Sequence, residues 1–213
     1  RLNAAAGRQI IDGVEFDEAA SLFAQAFAEM PEPVDTGALD ELAAEFAAIY
    51  LTHHYRASPN ESVWRDDEGL ERQQAMFAVR AWYQRHGVSA PDWRRRADDH
   101  LVHELEFLAS LIRDAGTTGA LDAAARFLRE HPLVWVRAFA RTVVMRCRLS
   151  FYAGVGLLTA IYLDHLAQVL GETLGCDMTP APIEGQVGAP SQGATLTCAD
   201  PASIPVQGAG PGW

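Results

Sequence analysis

Apolar residues recur at spacings of three and four from about Glu15 to Leu174, and this pattern constrains the fold more than any other feature of the sequence. Alternating runs of β-branched residues, which are typical of strands, are nearly absent. Helical spacing of this kind places one face of each helix against a common core. The chain is therefore predicted to be all-α, a single-domain bundle of six or seven helices.

Prolines, glycines and short polar residues divide this region into helices, because they end a helix or begin one. A polar loop over residues 55–66, which contains Pro59, is predicted between the second helix and the third. The predicted helices span about residues 17–30, 35–54, 68–86, 98–116, 121–130, 132–147 and 149–174.

The chain changes character after Gly175. Residues 176–213 are rich in Gly, Pro, Ala and Ser, poor in charge, and without helical periodicity. Such a composition favours irregular structure. We expect an all-helical domain over residues 1–175, followed by a tail that is flexible or draped on it.

Charge and composition exclude several classes of function. The formal net charge is −11 at pH 7, whereas a nucleic-acid partner requires a basic surface. All 17 cationic residues are arginines, so lysine-based Schiff-base and P-loop chemistry is excluded. Neither nucleic-acid binding nor these enzyme classes are expected.

Cysteines and apolar runs indicate the compartment. The three cysteines, Cys147, Cys176 and Cys198, contain no CxxC pair, which argues against a disulfide framework and against a zinc site. The longest apolar run, residues 149–163, is shorter than a bilayer span, and no export signal is recognisable. We expect a cytoplasmic protein without stable membrane insertion.

Histidines suggest one enzymatic alternative. His53 and His54, together with His100 and His103, could provide nitrogen ligands in a helical bundle, where inward Glu and His side chains build metal sites. Neither pair reproduces the HExxH pattern, and no GxSxG nucleophile motif is present. We therefore expect no enzyme activity, no metal and no cofactor, with a metal-dependent helical-bundle enzyme as the alternative.

Four short motifs carry a family resemblance. Asp98 and Asp99 precede a segment that reads His100-x-x-x-Glu104-Leu-x-Phe-Leu, and an earlier segment has Tyr50-Leu51 followed by Pro59-x-x-Ser62-Val-Trp64. Trp82-Tyr83 and Phe151-Tyr152 follow in the same order as in the family. Over about residues 15–174 the chain resembles the TorD/DmsD/NarJ family of redox-enzyme maturation chaperones. It departs from that family at Ala97, which follows three arginines where a proline is common.

The resemblance implies a binding protein. Such chaperones bind the catalytic-subunit precursor of a molybdopterin oxidoreductase of the DMSO reductase family, commonly through its twin-arginine signal peptide. They assist insertion of the molybdenum cofactor and delay export until maturation, often in anaerobic respiration. NarJ-like members recognise the mature part or a non-exported N-terminus instead, and both modes of recognition stay open. The sequence also leaves open the client's identity, nucleotide binding, and whether the protein is a monomer or a domain-swapped dimer.

A receptor for a twin-arginine peptide needs carboxylates beside an exposed hydrophobic groove. Asp98 and Asp99, with Glu61, Asp66 and Asp67, are the expected carboxylates. Asp99 is also suited to cap the helix that it opens, and His100 titrates near physiological pH. Trp64, in its polar loop, is a better binding candidate than Tyr50 or Trp82, for which core packing is the alternative. The residues predicted to bind the client are Tyr50, Pro59, Ser62, Trp64, Trp82, Asp98, Asp99, His100 and Glu104.

Overall fold

A computed structural model describes residues 14–52, 54–113 and 118–181. The predicted all-α class is confirmed: these residues form eight helices and no strand. In chain order the helices are α1 (Val14–Glu29), α2 (Thr36–Tyr50), α3 (Glu61–Arg65), α4 (Gln74–Arg85), α5 (Leu101–Arg113), α6 (Thr118–Glu130), α7 (Pro132–Arg146) and α8 (Ser150–Leu174).

The predicted count of six or seven helices was too low, because α3 lies inside the segment predicted to be a loop. A five-residue helix is not stable on its own, because its few hydrogen bonds do not offset the free-energy cost of helix nucleation. Here the carboxylate of Asp99 accepts the backbone N–H of Ser62, in the first turn of α3, at 2.7 Å. A tertiary contact therefore stabilises this helix, and periodicity could not reveal it.

Two other helix starts also differ from prediction. The third predicted helix was expected from Glu68, but α4 begins at Gln74 because Asp66 accepts the N–H groups of Glu68 and Leu70 and holds them in turns. The next helix was expected to be capped by Asp98 or Asp99, but α5 begins at Leu101, after His100 has paired with Asn60. Its predicted end at Gly116 lies outside the described residues.

Helix α8 has the most extensive contacts with other helices. It makes its most extensive contacts with α1 and α7, and its buried face includes Ala160 and Leu163. By length and composition this helix could cross a membrane, although 44% of its most apolar window is buried within the protein. At Gly154, α1 and α8 approach so closely that a Cβ atom would lie 2.7 Å from the Phe23 ring.

Identifiable residues mark the start and the end of α8. Before its first turn, the buried carboxylate of Glu45 accepts the N–H of Leu149 at 2.7 Å and the hydroxyl of Tyr55 at 3.1 Å. At its end Gly175 adopts a left-handed conformation with φ of 65°, which glycine reaches without steric cost. The irregular chain then continues to Ala181. The remainder of the predicted tail, residues 182–213, lies outside the described residues.

Candidate functional site

The fold brings the two longest motifs of the sequence side by side. The N–H of Glu61 donates to the carbonyl of Asp99 at 2.9 Å, and the N–H of Leu101 donates to the carbonyl of Pro59 at 2.8 Å. Asn60 and His100 face each other in a single antiparallel bridge. The segment before α3 and the segment before α5 are thus joined by backbone hydrogen bonds.

Asp99 anchors this junction. One of its carboxylate oxygens accepts both the backbone N–H and the hydroxyl of Ser62, and the Ser62 Oγ in turn accepts the N–H of Gln73 at 3.1 Å. Burial raises the pKa of Asp99, while the Ser62 hydrogen bonds oppose that shift. The expectation that Asp99 caps the helix that it opens was wrong. It is buried and caps α3 instead.

Asp98 is equally enclosed. Its carboxylate lies 2.6 Å from the Arg80 guanidinium, and its carbonyl accepts the Tyr83 hydroxyl at 3.0 Å. The Asp98 side chain is 5% exposed, so its charge is neutralised within the protein. Asp98 therefore holds α4 against the start of α5.

A cluster of carboxyl groups lies beneath the junction. Glu61 pairs with Arg65 at 2.6 Å and with His131 Nδ1 at 2.8 Å. Glu104 is fully buried and accepts the Trp135 indole N–H at 3.2 Å. Burial, and then the neighbouring charges of Glu61 and Asp99, raise the pKa of Glu104 well above its usual value. Glu104 thus keeps its proton more readily than an exposed glutamate does.

A groove of about 1030 Å³ opens beside this junction, between the end of α2 and the starts of α5 and α8. We call it the central groove. Its apolar wall consists of Phe46, Tyr50, Leu51, Leu101, Val102, Leu105, Phe151, Tyr152 and Val155. The other lining residues are Pro59, Asn60, Glu71, Arg72, Pro91, Asp92, Arg95, Arg96, Ala97, His100 and His103.

Aromatic rings form much of the apolar wall. The Tyr50 ring centroid lies 4.9 Å from that of Phe46 and 6.2 Å from that of Tyr152. Burial, with smaller contributions from Tyr152 and Cys147, raises the pKa of Tyr50 to about 12. Phe46 is 45% exposed, which leaves apolar surface open to a ligand.

Of the nine residues predicted to bind the client, three line the central groove: Tyr50, Pro59 and His100. Trp64 lies in α3 rather than in a polar loop, and its indole N–H donates to the Ser58 carbonyl at 2.9 Å. Trp82 is buried and its indole N–H donates to Glu130 at 3.2 Å. The remaining four, Ser62, Asp98, Asp99 and Glu104, are buried behind the wall.

His100 is neutral at physiological pH. Burial, and then the charges of Arg96 and His103, lower its pKa to about 4. Its Nδ1 accepts the N–H of Val102 at 3.2 Å, so the single ring proton is on Nε2. A neutral imidazole with Nε2–H at the groove wall can donate a hydrogen bond to a carbonyl or carboxylate.

The charged groups of the groove differ from those expected. None of the five predicted carboxylates lines it. Glu61, Asp98 and Asp99 are buried, and Asp66 accepts backbone N–H groups of its own turn. The expected row of acidic side chains does not line the groove: Glu61, Asp98 and Asp99 join segments of the fold, and Asp66 holds its own turn.

Several groove residues were not singled out from the sequence. Phe46 carries the helical spacing of a core residue, and Arg96 belongs to an arginine run that could bind an acidic partner but is most simply a solvated surface. Asn60 lies inside the Pro59-to-Trp64 motif, and this motif was the feature of the sequence that could have indicated Asn60 as a groove residue. Local patterns do not show which face of α2 or which arginine points into a groove formed by distant segments.

Potential metal ligands are dispersed in the described parts of the chain. Within residues 14–52, 54–113 and 118–181 there is no group of three or more His, Cys, Asp or Glu side chains that could hold a metal ion. His53, which belonged to the enzymatic alternative, lies outside those residues.

Comparison with known proteins assigns the family. The family described as the nitrate reductase delta subunit matches residues 14–141, more than half of the chain. Proteins named chaperone protein TorD are similar: that of Vibrio cholerae serotype O1 (strain ATCC 39315 / El Tor Inaba N16961) is 29% identical over 140 residues, 62% of this chain and 63% of that protein. The protein of Photobacterium profundum is 28% identical over 62% of this chain and 65% of its own length. The protein of Aliivibrio fischeri is 28% identical over 58% of this chain and 62% of its own length.

These matches span less than two thirds of the relatives' own length. In the described residues an all-α bundle brings Tyr50, Pro59 and His100 together at one apolar groove. The chain belongs to the nitrate reductase delta subunit family, the family of NarJ and TorD.

Proposed function

We propose that this protein is a cytoplasmic chaperone that binds the precursor of a molybdopterin-containing oxidoreductase. It holds the precursor through its signal peptide, its mature part or both, while the molybdenum cofactor is inserted and export is delayed. It performs no covalent chemistry itself. The family match and the relatives named TorD support this proposal.

One observation carries the proposal: three of the four motifs typical of the family contribute residues to the central groove. Tyr50, Pro59 and His100 come from three separate segments and line one concave surface. Grooves with aromatic walls bind apolar peptide segments, because burial of apolar surface provides affinity while a few polar groups provide orientation.

The groove has exposed apolar surface at its rim. Phe46 is 45% exposed, Leu51 is 64% exposed and Val102 is 41% exposed. Contiguous exposed apolar side chains of this kind mark interaction sites, since water contact with them is unfavourable. In the proposed complex these side chains pack on the apolar stretch of the precursor.

The remaining predicted residues act indirectly in this proposal. Ser62 and Asp99 keep the two motif segments together, and Asp98 holds α4 against the second of them. Glu104 and Trp82 lie in the core behind the groove. They position the wall, whereas Tyr50, Pro59 and His100 contact the client.

The experiment is affinity capture of tagged protein from its native host grown by anaerobic respiration, with retained proteins identified by mass spectrometry. The wild type is expected to retain a molybdopterin catalytic subunit in its precursor form. Phe46→Ser should reduce retention by about tenfold, which corresponds to about 1.4 kcal/mol of binding free energy.

The matched control is Phe77→Ser. Phe77 is 50% exposed on α4, comparable with Phe46 on α2, but it does not line the groove. Its substitution should leave retention unchanged. Absence of any molybdopterin subunit among the captured proteins, or equal retention by both variants, would contradict the proposal.

A further inference from the structure

The charged residues that line the central groove include more arginines than carboxylates, in a chain of net charge −11. Three arginines and two carboxylates line it: Arg72, Arg95, Arg96, Glu71 and Asp92. Arg95 lies 3.4 Å from Asp92 in an exposed pair, and Arg72 donates to a backbone carbonyl at 3.0 Å. Two of the three guanidinium groups thus have partners within the protein.

Arg96 is different. Among the described residues its guanidinium has no hydrogen-bond or ion-pair partner. Its charge acts on His100, whose pKa it helps to lower, so it lies near the groove's histidine. The positive end of the α5 dipole, which begins at Leu101, adds to the potential there. A cation beside an apolar wall attracts an anion.

Two enclosed polar side chains also point to a ligand. Asn60 is 7% exposed, and its Oδ1 has no partner among the described residues although its Nδ2 donates to Glu71. His103 is 5% exposed, and neither ring nitrogen has a hydrogen-bond partner. Its nearest charged neighbour, Glu106, is 3.6 Å away. Buried polar groups are ordinarily hydrogen-bonded, and both of these line the groove.

We infer that the central groove binds an apolar client segment that carries an aspartate or glutamate, whose carboxylate pairs with Arg96. Asn60 then accepts a hydrogen bond from a polar group of the same segment, and His103 donates a hydrogen bond to a polar group of that segment. A guanidinium and a carboxylate can form two parallel hydrogen bonds, which gives orientation as well as affinity. This inference rests on the proposed function, because it assumes that the groove is where the client binds.

The inference changes which client residues the central groove is expected to recognise. Arg96 becomes a residue that determines specificity, and a basic twin-arginine pair does not occupy the groove, since like charges in contact cost affinity. The apolar part of the client contacts the aromatic wall, and its acidic residue lies over the start of α5.

The test uses an array of overlapping peptides that covers the precursors of the host's molybdopterin oxidoreductases, probed with purified full-length protein. Wild type should retain apolar peptides that contain Asp or Glu. Arg96→Glu should retain them about tenfold less, and should gain apolar peptides that contain Arg or Lys.

Arg94→Glu is the matched control, because it makes the same change of charge two residues away. Arg94 stacks on Trp93 at 5.4 Å and does not line the groove. Its peptide profile should equal that of wild type. Arg96→Gln serves as a second variant that removes the charge without reversing it: it should lose the acidic preference and gain no basic one.

An unchanged profile for the Arg96 variants, a wild-type preference for twin-arginine peptides, or no retained peptide at all would each overturn the inference. The proposed function fails separately, through loss of precursor capture or through equal capture by the Phe46 and Phe77 variants.

Discussion

Asp99 accepts two hydrogen bonds from Ser62, a residue 37 positions earlier in the chain, with the backbone N–H at 2.7 Å. Both side chains are buried. This contact caps α3, aligns the strand-like pairing of Asn60 with His100, and so forms one edge of the central groove. Ser62 and Asp99 thus act as a structural joint between the two motif segments.

Asp99→Ala should destabilise the protein. The substitution leaves the buried N–H and hydroxyl of Ser62 without an acceptor, which costs about 1–3 kcal/mol. Urea denaturation at neutral pH measures the free energy of unfolding. Asp67→Ala, at an exposed position in the following turn, should change it by less than about 0.5 kcal/mol. Equal stabilities for the two variants would show that the joint contributes little.

Glu104→Gln should flatten the dependence of stability on pH. The pKa of Glu104 is raised in the folded chain, so the folded state binds the proton more tightly than the unfolded state does. Stability therefore falls as pH rises above the ordinary value of 4.5, by at most about 1.4 kcal/mol per pH unit for one proton.

Glutamine keeps an acceptor for the Trp135 indole but has no proton to lose. Unfolding free energies of wild type and Glu104→Gln, measured from pH 5 to about pH 9, should diverge with the wild type declining more steeply. The pKa of Asp99 is also raised, so part of the decline in stability with rising pH remains in the variant. Parallel curves would contradict the buried, protonated state of Glu104.

His100 should titrate with a pKa of about 4, well below the ordinary 6.5, as followed by the imidazole signals in an NMR titration. Because protonation is disfavoured in the folded chain, this group lowers stability as pH falls from 6.5 towards 4. Arg96→Gln should raise the pKa of His100 without restoring it fully, since burial is the larger cause. A wild-type value near 6.5 would show that the imidazole is solvated.

Gly154→Ala should destabilise the bundle by about 1–3 kcal/mol, because the added methyl would overlap the Phe23 ring and push α1 away from α8. Gly156→Ala is the control in the same helix. Its methyl would meet Ala140 at 3.8 Å, an ordinary contact, and alanine favours helix by about 1 kcal/mol. Thermal unfolding should give opposite shifts of the midpoint for the two variants; shifts of the same sign would argue against the close approach.

The helices were predictable to within a few residues wherever local signals dominate. Pro132 marks the start of α7, and Gly175 follows the last residue of α8, because proline and glycine constrain the backbone at their own positions. The short α3 and the delayed start of α4 were missed, because they depend on side chains of Asp99 and Asp66 that accept backbone N–H groups.

The site was predictable only in part. The motifs identified segments that the fold brings together, since Tyr50, Pro59 and His100 line one groove. They did not reveal that Asp98 and Asp99 face inwards, or that Arg96 faces the groove, because orientation depends on which distant segment packs against each residue.

The amino-acid pattern alone was sufficient for the all-α class, for most helix boundaries and for the family resemblance. These features follow from spacing within a turn or two and from the backbone preferences of single residues. The groove, the burial of the carboxylates and the ionisation of His100 and Glu104 are properties of the tertiary structure. They depend on dehydration and on charges from residues far away in the chain, and no local pattern encodes such contacts.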